Sequence, residues 1–456
     1  MSDMTVAERI GLFAESCSKG AIALPSPVTD MVRRLLVDVV GLCVAARGTD
    51  YVAACLASTE GEGRSTAIGH VIARNAIDAA LINGTAAHGE DFDDTFEGGP
   101  VHAGAPVVPA VLAVAEQEGI VGDRIVTAIA VGVEVMCRGS LVAPQAIHKA
   151  GFHPTAVLGA LGAAAAVSSL LGLDREQTAR ALGIAGSMAS GIIEYLADGS
   201  STKRLHAGLA AQSGIRAARL ARAGFTGPFT VFEGKHGFFH GFAPSKTPDF
   251  TKLTGGLGEL WAGADLAFKP YACGTMTQPY VDCAIRLSAM GVSANEITAI
   301  VCDVGEGTVH RLWEPLALKQ SPPNGYAAKF STPDCIAAGF LLGEAGLAAF
   351  EDAAIGEPGR RALAAKISFV IDPDNPYPRN YTGHLKAALV DGRVIEIRQP
   401  HMRGGAHEPL SDAELIAKYR ANCAFGGFDP QRAETLLAAL DALASGRQLD
   451  LTEARA

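Results

Sequence analysis

"PTAVLGALGAAAAVSSLLGL", residues 154–173, carries no charge from end to end and is long enough to reach the threshold for a membrane span. Its composition decides between two folds. A lipid-facing helix is dominated by Leu, Ile and Phe, whereas this stretch is built largely from Ala, Gly and Ser. Small side chains suit a helix packed closely on others, and Pro154 suits a first helical position. The stretch predicts a helix buried in the core of a soluble protein, with no membrane partner.

Working outward, "SPVTDMVRRLLVDVVGLCVAARG" (26–48) has apolar residues at three- and four-residue spacing, with Ser26 or Thr29 as a cap. Similar patterns predict helices at 72–88, 105–119, 122–139, 154–172, 174–191 and 204–223, joined in several places by short Gly-containing connections, with no fixed repeat. Near Gly263 the character changes. "ANEITAIVCDVG" (294–305) and "AKISFVIDP" (365–373) read as strands, and "LKAALVDGRVIEIRQP" (385–400) as a hairpin turning on Asp391-Gly392. Helices at about 276–290 and 333–354 lie between them, and helical patterns return after "MRGGAHEP". The expected class is mainly α with an α+β part. A discontinuous all-helical domain takes residues 1–264 and 401–456, and a smaller α+β domain takes 265–400. A cleft between two such domains is a common ligand site.

Composition narrows the function. A chain of 456 residues, 48% hydrophobic, can bury a large core. A net charge of −10 argues against nucleic acid and anionic membrane surfaces. It leaves room for an anionic small molecule where cations are concentrated locally. Nine cysteines without CxxC pairs imply neither a disulfide framework nor a zinc site, so a reducing, cytoplasmic location is expected. "MSDMTVAERI" lacks the apolar run of a signal peptide.

Against this sparing use of charge, "HGEDFDDTFEGGPVHAG" (88–104) packs Glu90, Asp91, Asp93, Asp94 and Glu97 between two histidines. It could be a metal site, a solvated acidic turn or a catalytic loop. The spacing matches neither an EF-hand nor HExxH, and no second ligand cluster stands out, so no metal is expected. Phe92 and Phe96 alternate with the acids and would anchor the loop, fixing its carboxylates as catalysis requires. In "KAGFHPTAVLGALG" (149–162), His153 falls at the N-terminal cap of the buried helix, where free N–H groups favour an anion. In "GSSTKRLHAGLAAQSG" (199–214), Lys203, Arg204 and His206 open another small-residue helix and could receive a carboxylate. The bland readings are a capping histidine and a solvated basic turn. Cys273, in "FKPYACGTMTQPYVDCA" (268–284), has no base paired with it and reads as lining of the cleft rather than a nucleophile. "FEGKHGFFHGF" (232–242) reads as a loop packed on the core.

At these residues the chain resembles the MmgE/PrpD family, whose activities include 2-methylcitrate dehydratase, cis-aconitate decarboxylase and iminodisuccinate epimerase. The resemblance rests on "NGTAAHGEDFDDT", "GFHPTAVLGALGAAAA", "STKRLHAGLAAQSG", "FEGKHGF", "FKPYACG" and "PLSDAELIAKYR", in the family's order from about residue 83 to 420. It implies a large all-helical domain with a smaller α+β lid domain, a homodimer, di- or tricarboxylate substrates, and no metal or organic cofactor. It places Asp91, Thr95, His102, His153 and Lys203 in the active site, with His102 one position later after "DFDDT" than the pattern expects. Two positions depart from the decarboxylase. Cys273 or Gly274 stands where a histidine is expected, and Asp334 where a tyrosine is.

The family's reactions share the movement of a proton on a carbon beside a carboxylate or imine. Such carbons are weak acids, so the site must supply a base tuned near neutral pH and stabilise the developing charge. Histidine meets that requirement and an unperturbed Asp does not. The expected catalytic set is His102 and His153 for proton transfer, Asp91 to orient an imidazole, and Lys203. Thr95, Lys203, Arg204, His206, Tyr271 and Cys273 are expected to contact the substrate. The expected activity is a carbon–oxygen lyase of the 2-methylcitrate dehydratase type. An epimerase, a cis-aconitate decarboxylase and a carboxylate-binding homologue without turnover are the alternatives.

Overall fold

The computed structural model describes residues 4–455. Two compact units are present. The helical unit comprises residues up to Gly89, Asp93–Leu266 and Ile416 onward; the second comprises Ala267–Leu415 with Glu90–Phe92.

The helical unit opens with α1 (Val6–Ser18), whose start is fixed by a reciprocal capping box between Thr5 and Glu8. There follow α2 (Ser26–Ala46), α3 (Ala76–Gly89), α4 (Gly104–Glu118), α5 (Asp123–Val142), α6 (Pro154–Leu171), α7 (Arg175–Met188) and α8 (Thr202–Arg222). The unit is not wholly helical. Between α2 and α3 a two-residue antiparallel pair forms, β1 (Ser65–Thr66) with β2 (Ala73–Arg74). Side chains tie it to α4: Ser65 Oγ donates to the Ala113 carbonyl, and Thr66 bonds Glu116 through both its N–H and its hydroxyl.

Helix α6 is the hub, buried from Thr155 to Leu170 and packed against α4, α5, α7 and α8. By length and composition α5 and α6 could each cross a bilayer, yet most of both apolar stretches is buried inside the unit. Glycine permits the close approach. A Cβ added at Gly132 would lie 2.8 Å from the Gly162 carbonyl oxygen, so α5 and α6 touch through backbone.

In the second unit, α9 (Gln278–Ala289) and α10 (Thr332–Leu342) cover a sheet of β3 (Ile297–Val304), β4 (Ile367–Ile371), β5 (Gly383–Leu389) and β6 (Val394–Gln399). The strand order is β4-β3-β5-β6. The β3–β4 pair is parallel, with Cys302 opposite Phe369, and the other pairs are antiparallel. Parallel neighbours need a long crossover, which the chain containing α10 supplies. The β5–β6 hairpin turns at Asp391-Gly392, with Gly392 at φ 87°. Trp313, Ile300, Leu385, Leu287 and Ile336 form the core between sheet and helices. Helix α10 stops at Leu342 because Gly343 adopts φ 71°, well short of the expected 354.

Two helices follow, α11 (Asp412–Phe425) and α12 (Pro430–Ala444). The chain leaves the second unit at Leu415 rather than at residue 400. The reason lies in bonds that keep 401–411 with the sheet: Phe268 N–H donates to the Gly404 carbonyl, and Arg403 reaches Asp282 at 3.0 Å. From Ile416 onward the chain closes the helical unit. Lys418 pairs with buried Asp38 at 2.7 Å, and the Tyr419 ring lies where Gly41 leaves room.

Candidate active site

His88 occupies the last turn of α3 and is buried. Its Nδ1 donates to Asp93 Oδ2 at 2.6 Å, so the acidic segment returns one carboxylate onto the helix it has just left. Asp94 does different work. It accepts from the N–H groups of Ala103 and Gly104 at 2.9 and 3.0 Å and thereby caps α4. Burial, then the neighbouring Asp93, push its carboxyl up to about 8.

His102 donates from Nδ1 to the backbone carbonyl of Asp94 at 2.6 Å. A carbonyl can only accept, so the proton of neutral His102 sits on Nδ1 and Nε2 presents a lone pair. Its own N–H donates to Thr155 Oγ1 in α6 at 3.2 Å.

His153 is the N-cap of α6, with Pro154 at the first helical position as expected. Its N–H donates to the Gly191 carbonyl at 2.9 Å. Helix α7 ends at Met188, short of residue 191, and the following chain pairs with 152 through a bridge between Phe152 and Ile192. Gly191 has φ 123°, and a Cβ there would stand 2.5 Å from Ala156 Cβ and 3.3 Å from His206 Nδ1. Across this glycine His153 Nδ1 meets His206 Nδ1 at 3.1 Å, and Tyr195 packs its ring edgewise against both imidazoles.

The imidazoles form a file. Ring centroids are 5.1 Å apart from His102 to His88, 5.5 Å from His88 to His153 and 5.2 Å from His153 to His206. Lys203 stands one turn from His206 on α8. Burial first, then the charges of His88, Lys203, His206 and His102, hold His153 well below the ordinary imidazole range. His206 is lowered to about 4 by burial, then by His88 and Lys203. Both rings are therefore neutral near pH 7, the form in which imidazole acts as a base. Helices α3 and α8 bring this set together at a glycine crossing, where a Cβ on Gly84 would meet Gly208 Cα at 2.8 Å.

Of the residues expected from sequence, His102, His153, Lys203 and His206 thus gather in one unit. Arg204 is engaged elsewhere: Nε donates to the Gly89 carbonyl at 3.0 Å and the guanidinium covers the Tyr51 ring, clamping the end of α3. Thr95 is buried, and its hydroxyl finds no hydrogen-bond partner among the described residues. Asp91, Tyr271 and Cys273 belong to the second unit. Asp91 has φ 55°, and Lys269 donates to its carbonyl at 2.8 Å and lies 3.7 Å from Oδ1. The carboxylate bonded to His88 is Asp93. The Tyr271 hydroxyl donates to Asp282 at 2.6 Å and accepts from Arg403 at 3.0 Å. Cys273 is fully buried, with Sγ 3.4 Å from Gln278 Nε2. Of the two departures, Asp334 forms a buried pair with Arg360, and Gly274 donates its N–H to the Lys329 carbonyl.

Sequence reasoning missed three members of the set, His88, Asp93 and Tyr195. The first two were visible as the histidine and an inner acid of the 88–104 segment, but spacing alone does not say which acid turns back on the helix. For Tyr195 no sequence signal was available.

The chain is similar to known proteins along most of its length. Residues 14–251 match the model of the MmgE/PrpD N-terminal domain, and residues 271–443 that of the MmgE/PrpD C-terminal domain. The chain is 31% identical over 354 residues to human cis-aconitate decarboxylase, covering 75% of this chain and 72% of that protein. It is 31% identical over 355 residues to the mouse cis-aconitate decarboxylase, with 75% and 71% covered. A cis-aconitate decarboxylase-like protein of Aspergillus oryzae is 26% identical over 431 residues, with 87% and 86% covered.

Proposed function

This chain belongs to the MmgE/PrpD family, and from that premise we propose that it is a lyase acting on a tricarboxylate, of the 2-methylcitrate dehydratase type. The observation that carries the reading is the gathering of His102, His153 and His206 beside Lys203, with His153 and His206 buried and neutral.

The tautomers supply a division of labour. His102 Nε2 carries a lone pair and takes the proton from the carbon beside a carboxylate. The electron pair of that C–H bond becomes the new C=C bond as the neighbouring C–O bond breaks. His153, with Nδ1 accepting from His206, donates a hydrogen bond from Nε2–H to the departing oxygen, and the proton held by the His102 imidazolium passes to that oxygen so that it leaves as water. Lys203 holds a substrate carboxylate and offsets the charge that develops on the enolate-like transition state.

Decarboxylation is the second reading, favoured by the names of the relatives. There a carboxylate leaves as carbon dioxide and a histidine returns a proton to the carbanion. The commitment of Asp334 to Arg360 and the lack of a side chain at Gly274 support the dehydratase reading instead. The test is incubation with 2-methylcitrate, citrate, cis-aconitate and iminodisuccinate in deuterated water. Elimination to an unsaturated acid supports the proposal. Carbon dioxide release establishes the second reading, deuterium exchange without elimination indicates an epimerase, and binding without exchange indicates a homologue that has lost turnover.

We also propose a cytoplasmic homodimer. All nine cysteines are buried free thiols, which supports a reducing compartment. Light scattering on the purified protein tests the oligomeric state, and fractionation of expressing cells the location.

A further inference from the structure

One buried carboxylate lies against two of the four imidazoles. Asp93 Oδ2 accepts from His88 Nδ1 at 2.6 Å, while Asp93 Oδ1 stands 3.4 Å from His102 Nδ1. The side chains of Asp93 and His88 are wholly removed from solvent. The His88 ring lies nearly parallel to His153, at 25° with centroids 5.5 Å apart, so it forms one wall against the ring expected to hold the leaving group. His88 Nε2 is buried and has no hydrogen-bond partner among the described residues. Leaving an imidazole nitrogen unsatisfied is costly in a native core, and such groups call for a reason beyond packing.

From this geometry we propose that Asp93 and His88 form a positioning dyad behind the reacting histidines. Asp93 fixes the His88 tautomer and sets its second oxygen 3.4 Å from His102 Nδ1, and His88 passes that constraint to His153 through ring stacking. The proposal rests on the lyase reading for its kinetic consequences, but the dyad itself is a statement about the resting protein. It assigns the orienting carboxylate to Asp93 and gives a role to His88, which otherwise has none.

The arrangement explains why the loop carries adjacent acids. Asp94 is committed to the start of α4 through two backbone N–H groups, so it cannot turn toward the rings. Asp93 alone of that pair bonds His88. Adjacent acids with separate duties are what a short, Phe-anchored loop requires when it must both start a helix and hold an imidazole.

The test compares Asp93→Asn, which keeps shape and removes charge, with Asp93→Glu and with His88→Gln, whose amide can still donate to Asp93. For the lyase reaction, Asp93→Asn is expected to lower kcat at least 10-fold with KM changed less than 3-fold, and Asp93→Glu to recover part of the loss. His88→Gln should also lower kcat selectively. A purely structural role would instead change the folded fraction and leave kcat per folded molecule intact, and that result would overturn the proposal.

A second readout needs no substrate. Nitrogen NMR shifts of the imidazoles report which ring nitrogen of His88 carries the proton. In the wild type it should be Nδ1, which donates to Asp93. Asp93→Leu removes the acceptor and should move the proton toward Nε2. An unchanged Nδ1–H tautomer would sink the dyad even if the enzyme turns over. Loss of that tautomer in a protein inert to every carboxylate would uphold the dyad and remove the lyase reading.

Discussion

The Nδ1 atoms of His153 and His206 stand 3.1 Å apart, a separation that one proton bridges and two do not. One ring must donate and the other accept. Whichever ring accepts at Nδ1 carries its own proton on Nε2, so the pair couples the acid–base character of the two imidazoles. Because both are neutral near pH 7, this coupling operates without a net positive charge on either ring.

Removing either ring that works on the substrate should be costly to turnover. His102→Ala and His153→Ala are each expected to lower kcat by about 10²-fold or more, the usual scale for acid–base groups and for donors to developing charge. Steady-state rates on folded, purified variants check this, and turnover near that of the wild type would remove the residue from its role.

The same burial makes stability depend on acid. The folded-state pKa of His206 lies at about 4, below its ordinary 6.5. Its contribution is fully present above 6.5 and is lost as pH falls from there to about 4, because the unfolded chain takes up the proton first. His153 acts in the same direction. Measured relative to His206→Gln, the wild-type urea midpoint should therefore drop between pH 7.5 and 4.5. Equal slopes in variant and wild type would contradict the assignment.

Asp94 gives the opposite sign. Its folded-state pKa is raised from 3.8 to about 8, so the stabilisation is present below 3.8 and is lost as pH climbs to about 8. Asp94→Asn keeps an oxygen to accept from the start of α4 and cannot ionise. Relative to the wild type, its melting temperature should rise steadily from pH 4 to 8 and then level off. Parallel melting curves across that range would show that Asp94 does not hold its proton.

The crossing of α3 and α8 tolerates no added bulk. A Cβ on Gly208 would lie 2.3 Å from the Leu81 carbonyl oxygen, a backbone atom that can move only with its helix. Gly208→Ala should destabilise the protein by about 1–3 kcal/mol, the typical cost of overpacking. It should also lower kcat, since α3 carries His88 and α8 carries Lys203 and His206. A variant with unchanged denaturation midpoint and activity would mean the helices separate freely.

Exhaustive chelation tests the expectation that no metal takes part. The rate on the identified carboxylate should be the same before and after treatment, with metal content followed by elemental analysis. A loss restored by adding back a divalent ion would overturn it.

The helices and strands were largely legible because their periodicities are strong. The uncharged, small-residue run from Pro154 announced a buried helix, and Asp391-Gly392 announced a hairpin. His102, His153, Lys203 and His206 could be named because they sit at helix starts or in charged segments. The partners could not. Which acid of "EDFDD" turns back to His88 depends on the path of the loop, and Arg204 is withdrawn by Tyr51 and Gly89, which lie more than a hundred positions earlier. The short strands β1 and β2 escaped because two residues carry no alternation to read.

The route of the chain through the helical unit has a consequence for biosynthesis. Asp38 and Gly41 of α2 wait for Lys418 and Tyr419, and the segment between Leu266 and Ile416 must be made first. At ordinary ribosomal speeds that interval lasts roughly ten to thirty seconds. During it Lys418 and Tyr419 do not yet exist to meet α2, so the helical unit can close over that helix only after the second unit has left the ribosome.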